Sequence, residues 1–272
     1  MPIPTIKLNN GTVIPQVGLG LWRVKNEAEC KASVRAALEV GYTHFDTAQI
    51  YGNEQFLGAA LTEAGAKRED IFITTKIWNE NQYWTDIDPS FEESLQKLQT
   101  DYVDLLLLHF PVTELRRPAW RKMERIYQSG QAKAIGVSNY TIRHLQELLD
   151  ENEVVPAVNQ VELHVYLQQP ELVEFCQQNG IVVEAYSPLA HGEGLDNEVL
   201  AAIGKKHGKS NAQIMLRWCV QKGMVVLPKS VHADRIRENM ELFDFELDPD
   251  DLQRIAGLEK DFRTCWDPTH VR

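Results

Sequence analysis

The sequence predicts an α/β fold, a single (β/α)8 TIM barrel with an N-terminal β-hairpin and two extra helices. Three observations carry that prediction. Short apolar or β-branched runs, eight in number, alternate with stretches of helical period. The run Leu105-Leu106-Leu107-Leu108 is apolar without alternation, as a parallel strand covered on both faces must be. At 272 residues the chain matches the length such a barrel needs, about 250 residues, so residues 1–272 are expected to form one domain and not two.

Taken in order, Thr5 to Leu8 and Thr12 to Ile14 flank Asn9-Asn10-Gly11, residues that tolerate positive φ, and this pattern predicts the hairpin. The eight runs follow at Val17–Leu19, Thr43–Phe45, Ile71–Thr75, Val103–Leu108, Ala134–Val137, Ala157–Asn159, Ile181–Ala185 and Met224–Leu227. Helical period links them over Glu27–Val40, Asn53–Glu63, Pro89–Leu98, Pro118–Gln128, Ile142–Leu149, Pro170–Gln178 and Asn197–His207. Pro89, Pro118 and Pro170 stand near first turns, and Gly41, Gly130 and Gly180 stand just past last turns. Strands alternating with helices imply right-handed parallel crossovers. Asn211–Gln221, before the last strand, and Pro249–Leu258, after the last barrel helix, exceed the count and are expected to pack outside as the extra helices.

Composition narrows the function. With 28 Lys+Arg against 39 Asp+Glu the net charge is -11, which argues against a nucleic-acid partner, since phosphate neutralisation needs a basic face. Cys30, Cys176, Cys219 and Cys265 have no C-x-x-C spacing, so a zinc ribbon and a dithiol motif are both excluded, and reduced structural thiols are expected. The opening Met1-Pro2-Ile3-Pro4-Thr5 lacks a leader pattern, and no apolar run approaches the roughly 18 residues of a membrane span. The expectation is a cytoplasmic protein with no membrane partner and no metal.

Barrel active sites form at the carboxyl ends of the strands, so the polar residues that follow each run are the candidates. Asp46 and Tyr51 follow the second run, Lys76 the third, His109 the fourth, Ser138 and Asn139 the fifth, Gln160 the sixth, Ser187 the seventh, and Lys229 with Ser230 the eighth. Charged or hydrogen-bonding groups thus collect at one rim.

At these residues the chain resembles a known family. Gly41-Tyr42-Thr43-His44-Phe45-Asp46-Thr47-Ala48, Ile71-Phe72-Ile73-Thr74-Thr75-Lys76, Gly136-Val137-Ser138-Asn139 and Leu227-Pro228-Lys229-Ser230 are similar to the signatures of the aldo-keto reductases. Order, spacing and context agree over essentially the whole chain, and the likeness is to the shorter bacterial members, the 2,5-diketogluconate reductases and related small-carbonyl reductases.

The resemblance implies Asp46, Tyr51, Lys76 and His109 as the catalytic set. Reduction of a carbonyl leaves negative charge developing on oxygen, which needs a proton donor aimed at it. Tyr51 is the candidate. A phenol titrates near 10, so a cation beside it, Lys76, should lower its value. Asp46 would hold the ammonium and His109 would orient the carbonyl.

For the cofactor, NADPH/NADP+, the resemblance implies Ser138, Asn139 and Gln160 on the nicotinamide carboxamide and Tyr186 stacked on the ring. It places Ser187 and Leu189 along the pyrophosphate, Lys229, Ser230 and Arg235 around the 2'-phosphate, and Glu238 with Asn239 near the adenine. A point charge, a planar fork and a hydroxyl beside a helix start suit a phosphomonoester dianion, so NADPH is expected over NADH. Gly18-Leu19-Gly20 lacks the third glycine and the strand-to-helix setting of a dinucleotide fingerprint.

Trp22, Trp78, His109 and Phe110 are the expected substrate walls. Many relatives carry Trp where this chain has Phe110, and Val165 stands after His164 where Pro is common. The short Phe110–Arg117 connection predicts an open pocket for small carbonyls, and the tail from Phe262 to Arg272 is a candidate cover for the mouth.

Other chemistries compete. A metal hydrolase would use His44, Asp46 and His109, but His44 lies one layer deeper than Asp46 and nothing completes the ligand set. A Schiff-base role for Lys76 is opposed by Asp46, which would keep the amine protonated. None of the eight tyrosines has lysine four residues later, so short-chain dehydrogenase chemistry is excluded. A non-catalytic NADP(H)-binding sensor on the same fold stays open. The expectation is a monomeric NADPH-dependent carbonyl reductase with Tyr51 as general acid.

Overall fold

Asn10 makes the first turn: its Oδ1 accepts from the Thr12 N–H at 3.0 Å, and Gly11 takes a φ of 91° that a side chain would oppose. The turn pairs β1 (Thr5–Lys7) antiparallel with β2 (Val13–Pro15), Ile6 opposite Ile14. This computed structural model describes residues 3–272; Met1 and Pro2, with which the predicted domain opens, lie outside the described residues.

Eight parallel strands then follow in sequence order. They are β3 (Leu19–Gly20), β4 (His44–Asp46), β5 (Phe72–Ile77), β6 (Leu105–Leu108), β7 (Ile135–Ser138), β8 (Val158–Glu162), β9 (Val182–Tyr186) and β10 (Val225–Leu227). The ring closes where Val17 bridges Val226 in parallel: Gly18 N–H donates to Val226 O at 2.9 Å, and Val226 N–H donates to Gln16 O at 3.0 Å. The hairpin covers the floor, with Leu8 and Ile14 packed on Phe72, Leu105, Leu107 and Val225. Leu106 and Leu108 face the outer apolar layer between strands and helices. Both faces of β6 are therefore buried, which is why its four leucines show no alternation.

The helices are α1 (Glu27–Glu39), α2 (Glu54–Glu63), α3 (Ile87–Leu98), α4 (Arg116–Ser129), α5 (Ile142–Glu151), α6 (Pro170–Gln178), α7 (Glu198–His207), α8 (Asn211–Gln221), α9 (Ala233–Glu238) and α10 (Pro249–Ala256). Gly41, Gly130 and Gly180 end α1, α4 and α6 with φ of 96°, 83° and 67°. Pro170 occupies the first helical position, but α3 and α4 begin two residues before Pro89 and Pro118. A first-turn proline gives up an N–H that has no partner in the helix, so neither proline marks the start.

One assignment is corrected. Asn211–Gln221 is not an outer addition. Eight of the eleven residues of α8 are buried, Ile214 to Val220 without a break, and the helix packs directly on β10. It is α7 that lies outside, against α8 and α10. Both segments have helical period, and only the all-round apolar character of α8 separates a sandwiched helix from a surface one.

Gly136 in β7 permits a close approach that no side chain allows: a Cβ there would lie 2.5 Å from Val158 O and 2.8 Å from Leu107 Cδ2. Gly136→Ala should therefore force β7 and β8 apart and destabilise the fold by about 2 kcal/mol. A urea midpoint equal to that of the parent protein would show that the barrel absorbs the methyl group.

Candidate active site

The register of β4 against β5 sets the site. Asp46 is level with Thr74, so Lys76, two residues further along β5, reaches the same interior space just above it. Lys76 has no exposed surface. Its Nζ donates to Asp46 Oδ1 and Oδ2, both at 2.7 Å, and to Thr47 O at 2.9 Å, and lies 3.5 Å from the Tyr51 hydroxyl. Tyr51 ends a short 3-10 turn, Gln49–Tyr51, that lifts the ring over the strand end. His109, just past β6, meets the Tyr51 ring edge to face at 5.7 Å between centroids. The four predicted catalytic residues are thus neighbours, contributed by β4, its following turn, β5 and the end of β6.

Burial governs their protonation. Desolvation pushes the Asp46 carboxyl up, and the Lys76 charge with an N–H from Gln160 at 2.9 Å opposes it. Desolvation followed by the Lys76 charge holds His109 well below the usual histidine range, so its ring is neutral. For Tyr51 the expected lowering is not found. Burial, then the Asp46 charge, raises the phenol well above its ordinary value. The ammonium is neutralised by the carboxylate it touches, so little field is left for the phenol, which keeps its proton.

Asp46, Tyr51 and His109 face a cavity of about 1440 Å3 at the carboxyl rim. Ser138, Asn139, Gln160, Tyr186, Ser187, Leu189, Lys229, Ser230, Arg235, Glu238 and Asn239 all line it. The Tyr186 hydroxyl donates to Asn139 Oδ1 at 2.7 Å, and Asn139 Nδ2 donates to His109 O at 2.9 Å, which fixes that ring as a wall. Ser138 Oγ donates to Gln160 O at 2.9 Å. Ser230 Oγ accepts from His232 N–H at 3.1 Å immediately before α9, which presents Arg235. Trp22 also lines the cavity, stacked on His191 at 5.2 Å and with the Arg23 guanidinium 4.0 Å from its ring.

Trp78 and Phe110 sit differently from the expectation. Trp78 packs on His109 at 5.2 Å, but Trp266 from the tail lies against both, 5.6 Å from Trp78 and 6.3 Å from Phe110, and itself faces the cavity. The tail does cross the mouth. Buried Glu162, at the end of β8, holds it by accepting from the Thr264 hydroxyl, from Thr264 N–H at 2.6 Å and from Cys265 N–H at 3.0 Å. Further along, Arg116 Nη1 donates to Arg272 O at 2.7 Å, and Arg143 reaches Val271 O. Thr264, Cys265 and Trp266 are therefore site residues that the strand-end reading did not place, as is His191, which touches both Trp22 and Ser187. Within the tail expected as a cover, Trp266 was the signal for the tail residues; His191 carried none. Val165 is buried within a tight turn whose ends, His164 and Leu167, exchange backbone hydrogen bonds.

The comparisons agree with this geometry. The profile of the Aldo/keto reductase family matches residues 16–260. Glyoxal reductase of Bacillus subtilis (strain 168) is 48% identical over 267 residues, 98% of this chain and 97% of that protein. Methylglyoxal reductase DkgA of Salmonella typhimurium is 46% identical over 273 residues, 98% of each. A crystal structure of an aldo-keto reductase complexed with NADPH superposes with a TM-score of 0.93 at 36% identity, covering 97% of this chain and 90% of that one. The chain belongs to the aldo/keto reductase family and is an oxidoreductase.

The tail anchor gives a pH prediction. Burial raises the Glu162 carboxyl, but hydrogen bonds from His164, Thr264 and Cys265 outweigh it and the net shift is downward. A depressed carboxylate stabilises the folded tail at pH above its unfolded value of about 4.3, and that contribution is lost as pH falls through the folded value below it. Trypsin cleavage after Lys260 and Arg263 should therefore stay slow at neutral pH and become fast in Glu162→Ala. Equal cleavage rates in the two proteins would mean that the tail is held by other contacts.

Proposed function

We propose that this chain reduces small aldehydes and ketones, glyoxal and methylglyoxal among them, to alcohols with NADPH, and that Tyr51 supplies the proton. The observation that carries the reading is the Tyr51 hydroxyl held 3.5 Å from the buried Lys76 ammonium at the cavity floor, beside a neutral His109.

The chain's own residues fit the cofactor. The cavity is larger than a small carbonyl needs, and it combines an aromatic wall, Tyr186, with the cationic groups of Lys229 and Arg235 beside Ser230, neither of them in an ion pair among the described residues. When bound, NADPH supplies the hydride that adds to the carbonyl carbon. The Lys76 ammonium, bound to Asp46 and Thr47 O, lies 3.5 Å from the Tyr51 oxygen and faces its lone pair, which leaves the phenolic proton to point toward the cavity. A phenol kept above its usual value stays loaded at neutral pH and gives up its proton only to an oxygen that has gained alkoxide character. Among the described residues His109 Nδ1 has no hydrogen-bond partner, and with its proton at Nε2 the neutral ring donates to the substrate oxygen. Trp22 and Trp266 exclude water, which strengthens both donations.

Ser138, Asn139 and Gln160 then hold the nicotinamide carboxamide, Ser187 and Leu189 the pyrophosphate, and Glu238 with Asn239 the adenine. Trp78 and Phe110 support the substrate wall through Trp266. We assign the activity to one domain over residues 1–272, acting as a monomer in the cytoplasm; among the described residues no helix is long and apolar enough to cross a membrane.

The direct test is NADPH oxidation at 340 nm with glyoxal and methylglyoxal, repeated with NADH. Turnover that prefers NADPH supports the reading, whereas NADPH binding without turnover on any carbonyl returns the sensor reading. Tyr51→Phe should lower kcat by at least about a hundredfold and leave the NADPH Kd unchanged. Unchanged turnover would remove Tyr51 as the acid. Arg235→Ala should raise the Kd for NADPH by about tenfold or more with little effect on NADH, the loss of a charge-assisted bond to phosphate; an equal loss for both cofactors refutes that placement.

A further inference from the structure

One ionisable group inside the barrel has no place in the chemistry above. Glu184 lies in the middle of β9, level with Gln160 on β8 and Val225 on β10, with no exposed surface. A carboxyl buried at that depth is costly unless its hydrogen bonds do something an apolar side chain cannot. Its Oε2 accepts from Gln160 Nε2 at 2.6 Å. The same nitrogen donates to Asp46 Oδ2 at 2.9 Å.

An amide nitrogen has two protons, and here both are taken by acids on the inner side. Asp46, bonded through both oxygens to Lys76, can only accept, so the amide cannot be turned over without facing one oxygen with another. Among the described residues Gln160 Oε1 is left with no partner, on a residue that lines the cavity.

We propose that Glu184 is a positioning residue for cofactor recognition: by taking the second N–H of Gln160 it locks that amide with Oε1 toward the cavity, where it accepts from the amino group of the nicotinamide carboxamide. The inference rests on the reading that NADPH occupies this cavity. It links the cofactor's carboxamide to the catalytic ion pair through one shared nitrogen.

The surroundings explain why an acid serves here. The titratable and charged groups that face Glu184 are His44 and Asp46 from β4 and Lys76 from β5. Burial and then the Asp46 charge push its carboxyl up to about 8, so at neutral pH it accepts through a carbonyl oxygen and adds no second anion beside Asp46. His44 is held neutral by burial, at about 3, with Nε2 3.0 Å from Thr74 Oγ1 and 3.7 Å from Glu184 Oε1. Room for that ring exists because residue 18 is glycine: a Cβ there would lie 2.6 Å from His44 Nδ1. An amide would replace the protonated carboxyl with little change, because both offer the same acceptor.

The test compares NADPH with its reduced 3-acetylpyridine analogue, which has a methyl ketone where the carboxamide has its amino group. Binding to the full chain is read at pH 7 from tryptophan fluorescence. The parent protein should bind NADPH about tenfold more tightly than the analogue, the worth of one buried hydrogen bond. In Glu184→Leu the NADPH Kd should rise about tenfold while the analogue's Kd stays within about twofold, and Glu184→Gln should restore the preference. Glu184→Thr, a smaller residue suited to a strand, replaces the leucine variant if that one does not fold.

Equal weakening of both cofactors in Glu184→Leu or Glu184→Thr would reduce Glu184 to a structural residue and overturn the inference. So would an unchanged preference, or its loss in Glu184→Gln. Failure of the parent protein to bind NADPH would instead overturn the functional reading, and this inference with it.

Discussion

A lysine with no exposed surface stands at the centre of this barrel, and the rest of the site depends on keeping it charged. An ammonium taken from water without compensation gives up its proton. Here the three N–H groups are surrounded by oxygens: both oxygens of the Asp46 carboxylate, the Thr47 carbonyl and, at 3.5 Å, the Tyr51 hydroxyl. Asp46 in turn requires Lys76 and Gln160, and Gln160 is completed by Glu184. The chain of dependence crosses β4, β5, β8 and β9, so it exists only when the barrel is closed. Removing Lys76 or Asp46 leaves a charged neighbour buried without its counter-charge, so the network specifies a single arrangement of these strands.

The two ends of the barrel solve different problems. The floor has an apolar centre: Leu8 and Ile14 from the hairpin region pack on the lower rows of β5, β6 and β10, while Asn9, Asn10 and Gln16 donate to backbone carbonyls around it. The rim carries the chemistry and has to admit ligands, so its cover is held by hydrogen bonds. Glu162 grips Thr264 and Cys265 from inside, and Arg116 and Arg143 hold backbone carbonyls further along the tail. Between these anchors Trp266, 59% exposed, lies on Trp78 and Phe110 and forms the visible wall of the cavity. A cover pinned at both ends by polar contacts can be released without disturbing the core.

Much of this was legible in the sequence, and the parts that were not share a cause. The leucine run marked β6 because burial on both faces leaves its own pattern in one dimension. The glycines after α1, α4 and α6 marked helix ends because positive φ is a local requirement. Pro89 and Pro118 misplaced helix starts by two residues, since a proline is tolerated through the first turn. The exchange of roles between α7 and α8 was invisible to helical period, which reports a face and not what covers it. Glu184 hid inside an apolar run, and the tail residues hid because a fourteen-residue stretch from Glu259 on has no periodicity to place it.

By itself the sequence determined the order of strands and helices and the set of polar residues that reach one rim, because periodicity and strand-end position are properties of neighbouring residues. Only the tertiary structure decided partners and protonation. Asp46 and Lys76 are 30 positions apart, and Gln160 is 114 positions from Asp46. Whether a phenol beside a lysine loses its proton depends on how much of the lysine's charge another group has already met, and whether an acid in a strand is ionised depends on what lies against it. In this barrel Asp46 had met it, so Tyr51 keeps its proton. That outcome is set by the distances between side chains brought together by closure, and no local pattern encodes them.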